Sequence, residues 1–224
     1  MRKRVDAYLS VQSPYSYFAL PRLLRLSRHP DVEVQFRLVM PGVLRIPDAY
    51  ANRGKLEQGY ICLDILRTAA FCGMDYAEAE PYPVEFEPGS LWCAAKEQPR
   101  VYKLLDLIMA ASDVGKGLAA FDALMRLIWD GKTKNWHLGN QVKTAVSKVG
   151  LDWEVLTRLV ETDSQRLRAS LLGNNEALLA AGHWGVPCFV VDGEPFYGQD
   201  RLDQLVWRLG VIPQENFVSR ALAS

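Results

Sequence analysis

The chain has 224 residues, 49% of them hydrophobic, enough for a sizeable core in one or two domains. Lys plus Arg and Asp plus Glu both number 26, and zero net charge offers no electrostatic footprint for nucleic acid or an anionic membrane. No apolar run approaches a membrane span, and Arg2-Lys3-Arg4 is followed by Asp6, Ser10, Gln12 and Ser13 rather than by the apolar stretch of a signal peptide.

In chain order, Val5-Asp6-Ala7-Tyr8-Leu9 alternates as a strand does, with Val, Ala and Leu on one face. Ser10 to Ser13 then reads as a loop. Ser13 is a good N-cap and Pro14 suits the first helical position, so a helix is expected over about 14–27. Pro21 should kink it, because it lacks an N–H and collides with the preceding turn. A second alternating run over 32–38 predicts a strand, and strand–helix–strand predicts two parallel neighbours. From 47 to 182 the periodicity is helical. Helices are expected over 56–72, 100–111, 118–129, 138–149, 153–161 and 164–181, with proline-rich loops near Glu80-Pro81-Tyr82-Pro83 and Glu87-Pro88-Gly89. The chain closes with a strand over 188–191, a tight turn at Asp192-Gly193, a strand over 195–197 and a helix over 200–209.

Two segments carry chemistry. In Gly185-Val186-Pro187-Cys188 a proline stands at the start of a buried strand, a good setting for a cis peptide bond. In Ser13-Pro14-Tyr15-Ser16-Tyr17 two serines stand at the spacing that redox thioredoxin-like proteins fill with Cys-x-x-Cys, so no disulfide can form there. Together, in this order and separated by a long helical stretch, these segments resemble the kappa-class glutathione transferase and 2-hydroxychromene-2-carboxylate isomerase family, a branch of the DsbA-like thioredoxin superfamily. The resemblance extends from Gly185 to Gly198-Gln199-Asp200-Arg201 and, more loosely, to the helical middle.

The implied fold is α/β: a thioredoxin-like domain in two parts, 1–46 and 183–224, with a large all-helical insertion over 47–182. The implied cofactor is glutathione. Ser13, at a helix N-terminus where unpaired N–H groups favour negative charge, is the candidate catalytic residue. Its hydroxyl would donate to the bound thiolate. Lowering a thiol pKa from about 8.5 by roughly 1.5 units takes about 2 kcal/mol, within reach of one hydroxyl and a helix end. The plainer reading of Ser13 is an N-cap alone. The resemblance implies that the Val186 backbone beside Pro187 pairs with the glutathione cysteine, and that Asp200 and Arg201 hold its γ-glutamyl end. Without it, Asp200 is a helix cap and Arg201 a solvated surface cation.

The family also uses an early insertion-domain Asn. Counting places Asp48 near that position and Asn52 one helical turn away, and an aspartate would repel a glutathione carboxylate. Tyr15, Tyr17, Tyr82 and Trp92 are candidates to line an aromatic substrate pocket, although core packing explains such residues equally well. Cys188 reads either as a partner for a bound thiol or as a small buried hydrophobe. His29, His137 and His183 share no metal-like spacing. His29 suits a helix C-terminus, and His183 is a candidate for proton transfer near the proline loop. The four cysteines form no Cys-x-x-Cys pair and no zinc spacing, consistent with a reduced, cytoplasmic protein.

The activity implied is glutathione-dependent isomerisation of an aromatic-degradation intermediate. The alternatives are a kappa-like transferase or peroxidase, and a non-catalytic DsbA-like binding module. The expected partner is a small aromatic molecule, with a second copy of the chain left open.

Overall fold

The computed structural model describes residues 2–51, 53–90 and 92–211. Among these, β1 (Lys3–Leu9), β2 (Val32–Leu38), β3 (Cys188–Val191) and β4 (Glu194–Tyr197) form one sheet in the order β2-β1-β3-β4. β1 and β2 are parallel, joined across α1 (Pro14–Ser27). β3 runs antiparallel to β1, and β4 antiparallel to β3. The hairpin turn has positive φ at both Asp192 (49°) and Gly193 (80°), the geometry whose twist matches the flanking strands. Segments from the two ends of the chain, such as Ala7 and Phe189, therefore pair in one sheet, as the two sequence halves predict.

The alternation of β1 sets its packing. Val5, Ala7 and Leu9 enter the main core with Phe189 and Val191 of β3. Tyr8 points the other way, into a smaller cluster with Val39, Leu178, Cys188 and Val190. α1 and the last helix, α9 (Leu202–Leu209), contribute Leu20, Leu23, Leu205 and Val206 to the main core.

Between β2 and β3 lie α2 (Gly42–Arg45), α3 (Pro47–Ala51), α4 (Lys55–Phe71), α5 (Val101–Asp113), α6 (Gly117–Trp129), α7 (Gln141–Lys148) and α8 (Trp153–Ala180). The two helices expected over 153–181 are one, interrupted at Asp163, whose backbone (φ −121°, ψ 16°) leaves the helical region without ending the helix. α1 likewise continues through Pro21, whose ring lies on an exposed face. The insertion is not wholly helical. Residues 74–90 and 92–100 form extended loop structure with a bridge between Phe86 and Ala94 and a cis Glu80–Pro81 bond. Prolines 81, 83 and 88 deny that stretch helical hydrogen bonding. The loop is well anchored: Gln98 donates to the Glu85 and Ala95 carbonyls, and Trp136 donates to the Pro81 carbonyl at 2.7 Å. Phe121, Leu124, Trp129 and Leu105 of the insertion share the main core with β1 and α1.

Candidate active site at the head of the first helix

A cavity of about 980 Å³ opens where the N-terminus of α1, the start of β3, the turn after β4, α4 and the loop residues Tyr76, Tyr82, Phe86 and Trp92 meet. Ser13, Val186, Pro187, Asp200 and Arg201 all line it. The Val186–Pro187 bond is cis, as its place before β3 predicts.

Ser13 caps α1: its Oγ accepts the Ser16 N–H at 3.1 Å, with backbone φ −95° and ψ 109°. That cap uses an oxygen lone pair and leaves the hydroxyl proton free to be donated elsewhere. Ser16 is fully buried, and its Oγ accepts the Ser10 N–H at 3.3 Å, so the second serine of the pair holds the loop and does not face a ligand. The same loop is fixed from above. Trp129 Nε1 donates to the Val11 carbonyl at 3.1 Å, and the Tyr82 hydroxyl donates to the Gln12 carbonyl at 3.3 Å. Ser13 thus sits on a support built by the helical insertion.

Asp200 and Arg201 occupy a single 3₁₀ turn (Gln199–Arg201) leading into α9. They are exposed and pair with each other at 2.9 Å. Arg22 of α1 donates to the Gln199 carbonyl at 2.7 Å and ties that turn to the head of the site. Gly198 has φ 108°, and a Cβ there would lie 2.4 Å from Asp200 Oδ1, so only glycine lets the Asp200 carboxylate fold back over the turn.

The aromatic wall is only partly as expected. Tyr15, Tyr82 and Trp92 line the cavity. Tyr17 does not. It is buried in the core, its ring 5.7 Å from that of Phe18, and its hydroxyl donates to the Asp75 carbonyl at 3.0 Å. Two residues along a helix from Tyr15 is about 200° around the axis, so the two tyrosines face opposite ways. Tyr15 donates to Asp64 Oδ2 of α4 at 2.7 Å, and burial followed by that bond raises its phenol pKa well above the usual value.

Of the two residues considered for the early insertion contact, Asp48 lies on an exposed face of α3 away from the cavity lining, because its two-residue offset from the inward-facing Tyr50 is about 200° around the helix axis. Asn52 lies outside the described residues. The cavity instead receives Arg53, whose guanidinium stands 4.3 Å from the Tyr50 ring centroid and 5.2 Å from that of Trp92, with Glu57 paired at 3.3 Å. Sequence reasoning missed Arg53, Tyr50 and Asp64. The available signal was the i, i+3 spacing of Tyr50 and Arg53, which places both on one side of a turn.

Cys188 is fully buried, does not line the cavity, and burial pushes its thiol pKa up to about 12. It is a small core residue of the second face of the sheet, not a partner for a bound thiol. His183 does not line the cavity either; its Nδ1 accepts the Gly185 N–H at 2.8 Å, so that nitrogen is committed to the backbone rather than to proton transfer. His29 follows the C-terminus of α1, its N–H bonding the Leu26 carbonyl at 3.0 Å.

Fold and site together define a thioredoxin-like protein with a helical insertion and serine in place of the redox cysteines. The profile of the DSBA-like thioredoxin domain matches residues 4–210, and the chain belongs to that family. Among solved structures it is similar to a 2-hydroxychromene-2-carboxylate isomerase, at 20% identity and TM-score 0.65 over 92% of this chain and 94% of that one. It is also similar to a probable DsbA oxidoreductase from Streptomyces coelicolor, at 19% identity and TM-score 0.62 over 93% and 90% of the two chains. A cytosolic disulfide reductase from Pseudomonas aeruginosa, determined with GSH, matches at 15% identity and TM-score 0.56 over 92% and 99%. At these identities the likeness is one of fold. No curated protein sequence matches the chain. Among the described residues no helix is long and apolar enough to cross a membrane, and no group of His, Cys, Asp and Glu could hold a metal ion.

Proposed function

We propose that the chain is a glutathione-dependent isomerase acting on a conjugated, carboxylate-bearing intermediate of aromatic degradation, of the 2-hydroxychromene-2-carboxylate type. The observation that carries this reading is that Ser13, with its hydroxyl proton free at a helix N-terminus, shares one cavity with the cis Val186–Pro187 segment, while no cysteine stands at position 13 or 16. A helix head built for a thiolate but lacking its own thiol suits a thiol brought in from outside.

The residues present fit glutathione. The exposed Asp200–Arg201 pair offers an anion and a cation side by side, complementary to the ammonium and carboxylate of a γ-glutamyl end. The cavity, at about 980 Å³, lies at the upper end of the usual range for small-molecule sites, which leaves room for a second substrate beside a tripeptide. When bound, glutathione supplies a thiolate that adds to the conjugated substrate and leaves again after bond rotation. Ser13 holds that thiolate ionised, Val186 presents backbone groups to it, and Asp200 and Arg201 anchor the far end. Tyr15, Tyr50, Tyr82 and Trp92 give the substrate apolar walls, and Arg53 faces its carboxylate. The Tyr15–Asp64 hydrogen bond places an exchangeable proton on the same wall. The fold likeness to the isomerase and to the GSH-bound reductase supports the reading.

Calorimetric titration with reduced glutathione, followed by spectrophotometric assays with a hydroxychromene carboxylate and with an uncharged aromatic electrophile, tests it. Micromolar to millimolar binding with turnover of the first substrate is expected. Turnover of the electrophile alone would make the chain a kappa-like transferase. Absence of glutathione binding would leave a non-catalytic DsbA-like module.

A further inference from the structure

We propose that His183 is a positioning residue: by accepting the Gly185 N–H on Nδ1 it fixes the backbone of Gly185 and Val186 at the start of β3, where the thiol is to bind. This rests on the cavity being a glutathione site. The geometry is that of a clamp. The imidazole lies on the Tyr197 ring at 4.2 Å between centroids and 24° between planes, and beside the Trp184 ring at 5.7 Å and 14°. The Gly185 backbone is pressed against the first two rings: a Cβ there would stand 2.4 Å from Tyr197 Cε2 and 3.0 Å from His183 Cε1. Neighbouring carbonyls are tied down as well. Arg45 Nη2 donates to the Trp184 carbonyl at 2.7 Å, and the Gly198 N–H donates to the Pro187 carbonyl at 2.9 Å. The Gly185 N–H, the Trp184 carbonyl and the Pro187 carbonyl are thus all tied down, and Val186, which lines the cavity, lies among them just before β3.

The clamp depends on protonation. As an acceptor, Nδ1 must be bare, which puts the neutral imidazole proton on Nε2. A second proton would aim an N–H at the Gly185 N–H and break the bond. Burial holds the His183 pKa below its ordinary value. The titratable and charged groups beside it are the Tyr197 phenol from β4, stacked on the ring, and the Arg45 guanidinium from α2, which bonds the neighbouring Trp184 carbonyl. A depressed folded pKa means the clamp is fully present above the ordinary imidazole value of about 6.5 and is lost as pH falls through the lower folded value.

His183→Asn keeps an acceptor near the Nδ1 position, and His183→Leu keeps bulk without one. The glutathione Kd is measured by calorimetry from pH 5 to 8 for both variants and the wild type. The Leu variant should bind about three- to tenfold more weakly at pH 7.5, as expected for one lost hydrogen bond. The Asn variant should bind within about threefold of wild type and lose the weakening that the wild type shows toward acid pH. Wild-type affinity in the Leu variant, or an Asn variant no better than Leu, overturns the proposal. A glutathione-independent readout keeps the two readings apart: nitrogen NMR of the wild-type imidazole at pH 7.5 should show Nδ1 unprotonated, with the Gly185 amide exchanging faster in the Leu variant. If glutathione does not bind the wild type at all, the functional reading fails, and the NMR tautomer and amide exchange still decide the clamp. A protonated Nδ1, or unchanged exchange, overturns it.

Discussion

Ser13 has two roles that can be separated by substitution. As a cap it accepts the Ser16 N–H, and as a ligand group it would donate its own proton. Ser13→Ala removes both. It should cost about 1 kcal/mol of stability and, through one lost charge-assisted hydrogen bond, slow turnover about 10- to 100-fold while changing glutathione affinity less. Ser13→Asp keeps the cap but sets a negative charge against the thiolate. Its thermal midpoint should stay near that of the wild type, while thiolate absorbance at 240 nm, followed against pH, moves to higher pH. An Ala variant with unchanged thiolate titration and turnover would reduce Ser13 to its cap. Arg53 carries a second prediction. Its guanidinium is held against Tyr50 and Trp92 with Glu57 as partner, so one face is committed and the cation remains beside the cavity. Arg53→Gln should raise KM for a carboxylate-bearing substrate about tenfold, with little change for an uncharged electrophile. An equal loss with both would show that Arg53 acts by packing, and a parallel rise in glutathione Kd would assign its carboxylate partner to glutathione.

At the scale of elements, α8 helps to place the site, although none of it lines the cavity. Two buried amides on successive residues reach the end of β2. Asn174 Nδ2 donates to the Leu38 carbonyl at 2.9 Å, and Asn175 Oδ1 accepts the Met40 N–H at 3.0 Å. These bonds pin the chain where it leaves the sheet and begins the run that presents Tyr50 and Arg53. Asn175→Leu leaves the partly buried Met40 N–H without its partner and should cost about 1 kcal/mol, read as a lower urea midpoint with an unchanged slope. It should also weaken the Arg53-dependent discrimination between carboxylated and uncharged substrates, because the outgoing segment loses its anchor. A variant with the wild-type midpoint would show that leucine packing replaces the amide without loss. The strands and most helix bounds follow from periodicity. The loop between α4 and α5 does not, because its apolar residues, such as Tyr82 against Trp129 and Trp92 against Tyr50, pack at irregular spacing that no strand or helix period describes.

For the whole molecule, the main core passes from sheet to insertion without a break, so the support of Ser13 and the stability of the helices are the same packing. The thiols report on it. Cys62 and Cys93 are exposed, Cys72 is half-buried with its thiol pKa raised by burial, and Cys188 is buried with its thiol pushed up to about 12. With an alkylating reagent at pH 7.5, mass spectrometry should find Cys62 and Cys93 modified first, Cys72 more slowly, and Cys188 only as the molecule unfolds. Early modification of Cys188 would mean that the sheet opens locally on its second face. A common labelling rate for Cys72 and Cys188 in denaturant would mark sheet and insertion as one cooperative unit.

What the sequence determines by itself are the features set by a few neighbouring residues. Alternation marks β1 and β2, Ser13-Pro14 starts α1, and Asp192-Gly193 makes the turn. Each rests on local sterics or on a short hydrogen-bonded motif, so no distant contact is needed to read it. That the Ser-x-x-Ser helix head meets Pro187 is what the family resemblance implies, and the shared cavity bears it out. The tertiary structure alone decides which side chains meet in the cavity. Tyr15 faces it and Tyr17 does not; Arg53 does and Asp48 does not; Asp64 arrives from α4 and Tyr82 from an extended loop. His183 turns from a proton-transfer candidate into a backbone clamp only once Tyr197 and Gly185 close around it. Those outcomes depend on the relative rotation of elements packed across one core. Rotation about a helix axis by one residue, 100°, moves a side chain from cavity to solvent. Such rotations are fixed by contacts between residues far apart in the chain, which no local pattern encodes.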